Sequence, residues 1–378
     1  MRYTQSHRSG FSLLELMVAL ALSATVVSSV YMLGGASAKH FQEQQRIAQT
    51  QLSLRIAVEQ IRRDIARAGF LGTPNSANEN TCGTTAISVQ AVAFTNNADS
   101  AQIPNASAHG VQADRLILTG NYATSDNYFS SGFDSAGNLV YLQRDWQGFR
   151  RSFHLTTTGT PFSSTLYDDA FRVGRVLHIE TLQGVHFFGN ITAKSATNAS
   201  VTFSPALTVG SLCLGGIGVG ATVAPLSRVE YYVGNIGGNL DPLSSTAATA
   251  MGSQSVQLIR RELNSSGTAV ANSERVVMEY VVDFNVDFIL DTSGPGVAPS
   301  LARVSDAAAA TAIAANPEQV RSAIVRLSAR TPFQDARFPW VARASGAPLT
   351  RYRANASAAG AARVRTIETE IFMPNMVN

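Results

Sequence analysis

The chain has 378 residues, of which 45% are hydrophobic and only 15% are charged, and its formal net charge is +3. Arg2 and Arg8 account for two of those positive charges, so the rest of the chain is nearly neutral. We see no stripe of lysine and arginine with interleaved aromatic residues, and we therefore predict that nucleic acid is not a partner.

A long apolar run begins directly after Gly10 and covers residues 11–35, with Glu15 as its only charged residue. About 20 apolar residues are enough for a helix to cross the hydrocarbon core of a membrane. The run therefore predicts a transmembrane helix, and Arg2 and Arg8 place its N-terminal end on the cytoplasmic side. Because a carboxylate within a membrane helix is costly, Glu15 is predicted to have a partner or a function.

Gly10 is a small residue of the kind found at peptidase sites, but it lies before the apolar run. In an ordinary secretory signal peptide the cleavage site follows the apolar region, which is then lost. Cleavage at Gly10 would instead leave the apolar helix on the mature protein. The alternative interpretation is an unprocessed signal anchor in which Glu15 is incidental.

The segment 10–16, with the sequence GFSLLEL, resembles the class III signal of type IV pilins and type II secretion pseudopilins. The resemblance implies that a prepilin peptidase cleaves after Gly10 and N-methylates Phe11. It also implies that Glu15, as the fifth residue of the mature chain, takes part in assembly.

The helical pattern continues beyond the apolar run. Residues 36–68 contain no proline and no glycine, and Gly69 is a suitable C-cap. Apolar residues recur at spacings of three, four and seven, as on one face of a helix: Ile47, Leu54, Val58, Ile61, Ile65 and Ala68. We predict a continuous helix over residues 11–69, about 88 Å long, whose second half packs on a globular head.

Beyond Leu71 the pattern changes to short strands separated by Gly, Ser, Asn and Thr. The predicted strands are 86–94, 115–119, 139–143, 151–156, 176–181, 201–203, 228–233, 256–260, 276–290, 320–329 and 364–372. We therefore predict an α+β fold, in which a long N-terminal helix packs on a mainly antiparallel β-sheet head. The predicted parts are a leader (1–10), a transmembrane helix half (11–35), an extracytoplasmic amphipathic half (36–70) and a β-rich head with insertions (71–378).

Within 281–290 apolar and polar residues alternate, which predicts one buried face and one face in water. Asp283, Asp287 and Asp291 follow one another at intervals of four residues, which is too far apart to chelate calcium as an EF-hand does. The alanine-rich segment 306–317 is compatible with a short helix or a loop. Residues 342–362 show little periodicity and predict a surface loop.

The two cysteines, Cys82 and Cys213, both lie in the predicted exterior part. An even number of cysteines in an oxidising compartment favours a disulfide. The bridge would contribute ~4 kcal/mol in the chain-entropy model. The alternative is two buried thiols. Neither cysteine has a second Cys or His at ligand spacing, so we predict no metal site.

Catalytic motifs are missing from the sequence. None of the six histidines belongs to an HExxH pattern, and the glycine-rich run 214–220 lacks the Lys-Ser/Thr of a phosphate-binding loop, which leaves a flexible turn. His178 and Glu180 are two apart on a predicted strand and so share a face. One interpretation is a pair that is hydrogen-bonded or solvated and has no chemical role. The alternative is a pair that binds a metal ion or acts as acid and base. We predict no enzyme activity and no cofactor.

Later segments resemble PilW-type minor pilins: the helix end at 62–72, the strands 276–290 and 320–329, and the closing sequence RVRTIETEIFMPN. Residues 73–274 show no such resemblance. The resemblance to PilW-type minor pilins implies a structural subunit of the priming or tip complex of a type IV pilus. The implied partners are the prepilin peptidase, the major pilin, other minor pilins and a tip adhesin, and the implied locations are the inner membrane and then the extracellular pilus. Alternatives are a J-type type II secretion pseudopilin and a tip adhesion module.

Overall fold

The fold is that of a computed structural model, in which the chain divides into two compact units, residues 1–51 and 52–378. The first unit is helical wherever the structure describes it, apart from its first two residues. The second unit contains the remainder of the helix and the β-sheets. The structure describes residues 11–81, 87–124, 126, 128–130, 132–133, 139–140, 143–146, 149–152, 164–195, 200–205, 220–236, 255–293, 297–344, 346–354 and 360–376.

The long helix α1 spans Leu13–Ala66. It ends in tighter turns, in which Arg67 N–H donates to Asp64 O and Ala68 N–H to Ile65 O, both at 3.1 Å. Gly69 then takes a positive φ of 77°, which agrees with its predicted role at the helix end. The predicted single helix through the apolar and amphipathic segments is confirmed.

The first sheet is formed by the strands between residues 92 and 279, and short α-helices occur between them in the chain. In chain order they are β1 (Val92–Thr95), α2 (Ala106–His109), β2 (Arg115–Gly120), β3 (Tyr128–Phe129), β4 (Gly132–Phe133), β5 (Leu139–Val140), β6 (Gln143–Trp146), β7 (Phe149–Ser152), α3 (Ser164–Ala170), β8 (Val176–Glu180), β9 (His186–Ser195), β10 (Ser200–Ser204), β11 (Thr222–Gly234), β12 (Gln257–Leu263) and β13 (Arg275–Glu279).

Strand β11 connects the two parts of this sheet. Its first residues pair with β8 and β3, and its later residues pair with β2 and β12. From β8 the sheet continues through β9, β10 and β5 to β4, and from β3 it continues through β6 to β7. Strand β1 adds to β2, and β13 adds to β12. All of these pairings are antiparallel.

The second sheet is formed by the C-terminal part of the chain. Its elements are β14 (Val281–Asp291), β15 (Leu301–Val304), α4 (Asp306–Ala315), β16 (Val320–Arg330), β17 (Asp335–Pro339), β18 (Arg351–Tyr352) and β19 (Gly360–Phe372). The strand order is β15-β14-β16-β19-β17, with β18 also on β19, and every pairing is antiparallel. The fold is therefore α+β, as predicted.

One large hydrophobic core joins α1 to both sheets. The predicted apolar face from Leu54 to Ala68 is buried in it, together with side chains of β1, β2, β11, β12, β14, β16 and β19. Phe94 of the first sheet meets Phe288 of the second edge to face, with ring centroids 5.3 Å apart. The amphipathic pattern thus correctly identified the helix face that holds the second unit together.

The prediction of one strand over 276–290 is wrong. The chain breaks at Tyr280, which takes a positive φ of 56°, and the two pieces belong to different sheets. Strand β13 pairs with β12, whereas β14 pairs with β15 and β16. The apolar pattern runs through the break because both pieces contribute to the same core.

The prediction that one face of this strand lies in water is also wrong. Asp283, Asn285 and Asp287 are 4%, 5% and 7% exposed. They are covered by long polar side chains rather than by solvent: Arg326 Nε lies 2.8 Å from Asp283 Oδ2, and Arg303 Nε lies 3.0 Å from Asp287 Oδ2. A polar residue can be buried when a partner satisfies it, so alternation alone does not identify an exposed face.

The remaining strand predictions are mostly confirmed, with shifted ends. Strands β3, β4, β9, β15 and β17 were not predicted. The predicted strand 139–143 belongs to two short strands, and of the predicted strand 86–94 only residues 92–94 are extended in a sheet. Residues 141–142 and 153–156 of the predicted strands lie outside the described residues. The alanine-rich segment is a helix, α4, with Ala309 and Ile313 buried in the core. The predicted loop 342–362 contains β18, whose Tyr352 is 1% exposed, and the start of β19.

Candidate functional site

The N-terminal part of α1 exposes an almost continuous apolar surface. All residues from 11 to 42 are exposed. An 18-residue window of the helix has a mean hydropathy of 2.0, and none of it is buried, which makes α1 long and apolar enough to cross a membrane by length and composition. Soluble monomers rarely expose an apolar patch this large, so the segment needs lipid or other apolar helices around it. Its exposed large residues are Phe11, Leu13, Leu14, Leu16, Met17, Val18, Leu20, Leu22, Val26, Val27, Val30, Tyr31, Met32 and Leu33.

A reciprocal capping box begins this helix. Ser12 Oγ accepts a hydrogen bond from the backbone N–H of Glu15 at 3.1 Å, and Glu15 Oε2 accepts one from the backbone N–H of Ser12 at 3.0 Å. Each side chain thus satisfies one of the N–H groups that the first helical turn leaves without a partner. The cap directs the Glu15 carboxylate back towards Phe11, which lies outside the helix and is 85% exposed.

The hydroxyl groups within the apolar segment are bonded inside the helix. Ser23 and Thr25 donate to the carbonyl oxygens of Leu20 and Leu22 at 2.9 and 2.7 Å, and Ser29 donates to Thr25 O at 2.8 Å. Such bonds allow hydroxyl groups to lie in lipid without a cost for unpaired donors. Glu15 is therefore the one group in residues 11–35 whose charge has to be matched from outside this segment.

The structure places the other predicted site residues differently. Gly10, Cys82 and Cys213 lie outside the described residues, as does the glycine-rich run except Gly220. The cleavage site and the disulfide thus stay predictions. No group of three or more His, Cys, Asp or Glu suited to a metal ion occurs among the residues that the structure describes.

His178 pairs with His186 rather than with Glu180. Its Nδ1 lies 2.9 Å from Leu71 O, and its Nε2 lies 3.0 Å from His186 Nδ1. Since a carbonyl oxygen only accepts, His178 Nδ1 carries the proton and Nε2 accepts from His186. Burial lowers the pKa of His178 to about 4. His178 is therefore neutral and structural at neutral pH.

A polar network that the sequence analysis missed fixes the end of α1. Asp64 Oδ2 accepts from Arg260 Nε at 2.6 Å and from Tyr231 OH at 2.7 Å. Arg67 donates to two loop carbonyls, and Asn375 Nδ2 donates to Ala66 O at 3.1 Å, which satisfies a carbonyl at the helix end. The network joins the helix to the first sheet and to the C-terminus of the chain.

Gly120 lies at the closest approach of the sheet to this helix end. A Cβ atom at Gly120 would lie 2.5 Å from Arg67 O, which is backbone and cannot move aside. Its neighbour Thr119 accepts a hydrogen bond from Gly69 N–H at 2.8 Å. The sequence signals for this junction are weak, since Asp64 resembles any helical surface carboxylate and Gly120 resembles any strand end.

The comparisons with known proteins identify the N-terminal segment. A family model described as the prokaryotic N-terminal methylation motif matches residues 5–31. No curated protein and no solved structure matches the chain significantly. The matched residues contain the capping box and most of the exposed apolar run, so they support a protein of the type IV pilin or pseudopilin type, with a leader of the kind that a prepilin peptidase processes. They also fit anchoring in a membrane followed by assembly with other pilins.

Proposed function

We propose that this protein is a minor pilin of a type IV pilus, of the PilW type, and that it is a structural subunit rather than an enzyme. The observation that carries the proposal is the methylation motif at 5–31 on an exposed apolar helix with one carboxylate, Glu15, in its first turn. In the proposed role the protein joins the priming or tip complex of the filament.

Assembly follows from the chemistry of the helix start. In the membrane the apolar surface of α1 contacts lipid, and in a filament it contacts the apolar helices of other subunits. Cleavage after Gly10 would create an α-amino group on Phe11. A carboxylate has about four lone-pair sites, so Glu15 can keep its bond to Ser12 N–H and still accept the amine of an adjacent subunit.

In the proposed topology the N-terminus of the membrane form is cytoplasmic and the globular head is outside. A type II secretion pseudopilin would share the leader, the helix and this topology. Deletion of the gene separates the two roles, because loss of a minor pilin abolishes or reduces piliation, whereas loss of a pseudopilin blocks secretion and leaves the pili intact.

The processing step is tested by mass analysis of the filament-associated protein. We expect an N-terminal peptide that begins with methylated Phe11. Gly10→Glu should prevent both cleavage and incorporation, because a charged side chain replaces the small one at the peptidase site. Gly10→Ala, a minimal change at the same residue, should be processed. Intact Met1 in assembled filaments would contradict the proposal.

The role of Glu15 is tested with two substitutions that differ in one property. Glu15→Gln keeps a side-chain acceptor for Ser12 N–H, since glutamine also completes a capping box, but it removes the charge. Glu15→Ala removes both. If the carboxylate matches an amine of another subunit, both variants should insert into the membrane normally and both should be lost from purified pili.

The measurement is the amount of each variant in sheared pili relative to the membrane fraction. Recovery of the glutamine variant at the wild-type level, with loss of the alanine variant, would mean that Glu15 acts only as a helix cap. Normal incorporation of both would remove Glu15 from the assembly site. Ser12→Ala, which weakens the cap and keeps the charge, is the matched control and should incorporate.

A further inference from the structure

The segment 330–365 carries an unusual excess of positive charge. It contains seven arginines and a single aspartate, whereas the whole chain has a net charge of only +3. The aspartate, Asp335, is already paired with Arg363 at 3.3 Å. The remaining arginines are spread over the segment, so no compact basic motif is visible in the sequence.

The second sheet brings several of these arginines together beside aromatic rings. Strands β17 and β18 both pair with the first residues of β19. The guanidinium carbons of Arg351 and Arg363 lie 4.3 and 4.2 Å from the ring centroid of Phe338, and that of Arg353 lies 5.2 Å from the ring centroid of Trp340. The contacts hold the guanidinium planes in defined positions.

Four arginines at this end of the sheet, which we call the arginine cluster, have no carboxylate partner among the residues that the structure describes: Arg337, Arg343, Arg351 and Arg353. Arginines elsewhere behave differently. Arg260, Arg303 and Arg326, for example, each pair with an aspartate at 3.0 Å or less. The positive charge of the cluster is therefore uncompensated within the described fold.

A cleft of ≈ 700 Å³ beside the short helix α2 is lined by both polar and apolar residues. Its lining includes amide and hydroxyl side chains from Asn97, Ser100, Asn105, Ser107 and Gln112. The helix connects the cleft to the arginine cluster, since Asn105 Nδ2 at its N-cap donates to Ala354 O at 2.6 Å and His109 Nε2 at its end lies 3.0 Å from Arg353 O.

His109 gives a second indication that α2 packs on the residues of the cluster. Its ring stacks on Tyr352 at a centroid distance of 4.3 Å and meets Trp340 edge to face at 4.6 Å. Burial lowers the pKa of His109, and the positive charges of Arg353 and Arg343 lower it further. The short helix α2, which lines the cleft, thus packs directly on the residues that carry the cluster.

We propose that the cleft and the arginine cluster together bind an acidic polysaccharide whose sugar rings carry carboxylate groups. The planar guanidinium fork matches a carboxylate with two parallel hydrogen bonds. The amide and hydroxyl groups of the cleft match the hydroxyl groups of a sugar ring, which both donate and accept. The site thus provides partners for both the carboxylate and the hydroxyl groups that a uronic acid chain presents on every ring.

The arrangement is less suited to single-stranded nucleic acid or to a lipid surface. Bases are held by stacking on open aromatic faces, but Phe338 already contacts two guanidinium groups and Trp340 contacts His109 and Arg353. A lipid surface would be matched by a flat basic face, whereas here the charges lie beside a cleft.

The inference goes beyond the proposed role in filament assembly and does not depend on it. Binding is measured on the purified full-length protein in detergent, with no pili present. Failure of binding would leave the incorporation experiments with Glu15 unaffected, and failure of incorporation would leave the binding result unaffected.

The probes are polygalacturonate, its methyl ester, duplex DNA and vesicles that contain phosphatidylglycerol. The methyl ester has the same backbone without the charge. We expect wild-type protein to bind polygalacturonate and not its ester, with weaker binding at high salt. Arg337→Gln/Arg343→Gln should weaken binding about tenfold, because both side chains are exposed and charged. Ser107→Trp places a bulky side chain at the lining of the cleft without a change of charge and should weaken binding about threefold.

Arg62→Gln/Arg275→Gln is the matched control, since it removes two exposed arginines of the second unit far along the chain from the cluster. It should bind as wild type does, and all variants should keep the wild-type melting temperature. Equal binding to the ester, tighter binding to DNA or vesicles, no effect of Ser107→Trp, or an equal loss in the control would each overturn the proposal.

Discussion

Replacement of Asp64 by alanine is expected to lower the free energy of unfolding of the second unit by about 2–3 kcal/mol, because a largely covered ion pair and a hydrogen bond to a buried hydroxyl are both lost. The Asp64 and Arg260 side chains are only 14% and 21% exposed. Without the carboxylate, Arg260 stays half-buried without its counter-charge, and the hydroxyl of Tyr231, a fully buried residue, loses its acceptor.

Glu59 provides the matched control for this prediction. It lies on the same helix and pairs with Arg63 at 3.5 Å, but the two side chains are 51% and 74% exposed. Exposed pairs contribute ~1 kcal/mol or less, so Glu59→Ala should have a small effect. Urea unfolding of the full chain in detergent, followed by circular dichroism, measures both variants. Similar losses in the two variants would show that burial of the Asp64 pair has no special importance.

The comparison between Asp64 and Glu59 also shows what periodicity can predict in this chain. The spacing of Leu54, Ile61 and Ile65 was sufficient to identify the buried face of α1, because the apolar face of an amphipathic helix packs against the core. No pattern in the sequence distinguishes Asp64 from Glu59, since both are acidic residues of the same helix. Only the register of β11 and β12 against the helix decides which carboxylate is covered, and that register depends on contacts distant in sequence.

The same limit explains the errors in the second sheet. Alternation in 281–290 correctly predicted an extended strand, but it could not show that Arg303 and Arg326 cover its polar face. Those arginines belong to later strands, and their positions depend on how β15 and β16 pair with β14. The break at Tyr280 is likewise set by the packing of two sheets on one core rather than by a glycine or proline.

The N-terminal site was easier to predict from the sequence because its residues are close neighbours in the chain. Gly10, Phe11 and Glu15 lie in one short motif, and the spacing of Ser12 and Glu15 is itself the signature of a capping box. The arginine cluster was not predictable in this way. Arg337, Arg343 and Arg353 lie on separate turns and strands, and only the pairing of β17 and β18 with β19 brings this segment together.

Two buried groups in different parts of the core are expected to give the protein opposite responses to pH. Asp114 is fully buried, and its carboxylate accepts from the backbone N–H groups of Asn97 and Val286, each at 2.9 Å. Burial nevertheless raises the pKa of Asp114 to about 6, whereas that of His178 is lowered to about 4.

The signs follow from which state binds the proton. Between pH 4 and 6 the folded chain holds a proton on Asp114 that the unfolded chain has lost, so the contribution of Asp114 to stability falls as pH rises. Over a similar interval the unfolded chain holds a proton on His178 that the folded chain excludes, so the contribution of His178 rises. Each contribution changes by about 3 kcal/mol, and the two largely cancel in the wild-type protein.

Single substitutions should therefore reveal slopes that the wild-type protein hides. From pH 4 to 6.5 the stability of Asp114→Asn, taken relative to wild type, should rise by about 3 kcal/mol, and that of His178→Asn should fall by a similar amount. Urea unfolding of the full chain in detergent at a series of pH values measures both. The double variant should follow the pH dependence of wild type, with a constant offset. A single variant whose stability curve stays parallel to that of wild type would mean that the replaced group keeps its ordinary pKa in the folded protein.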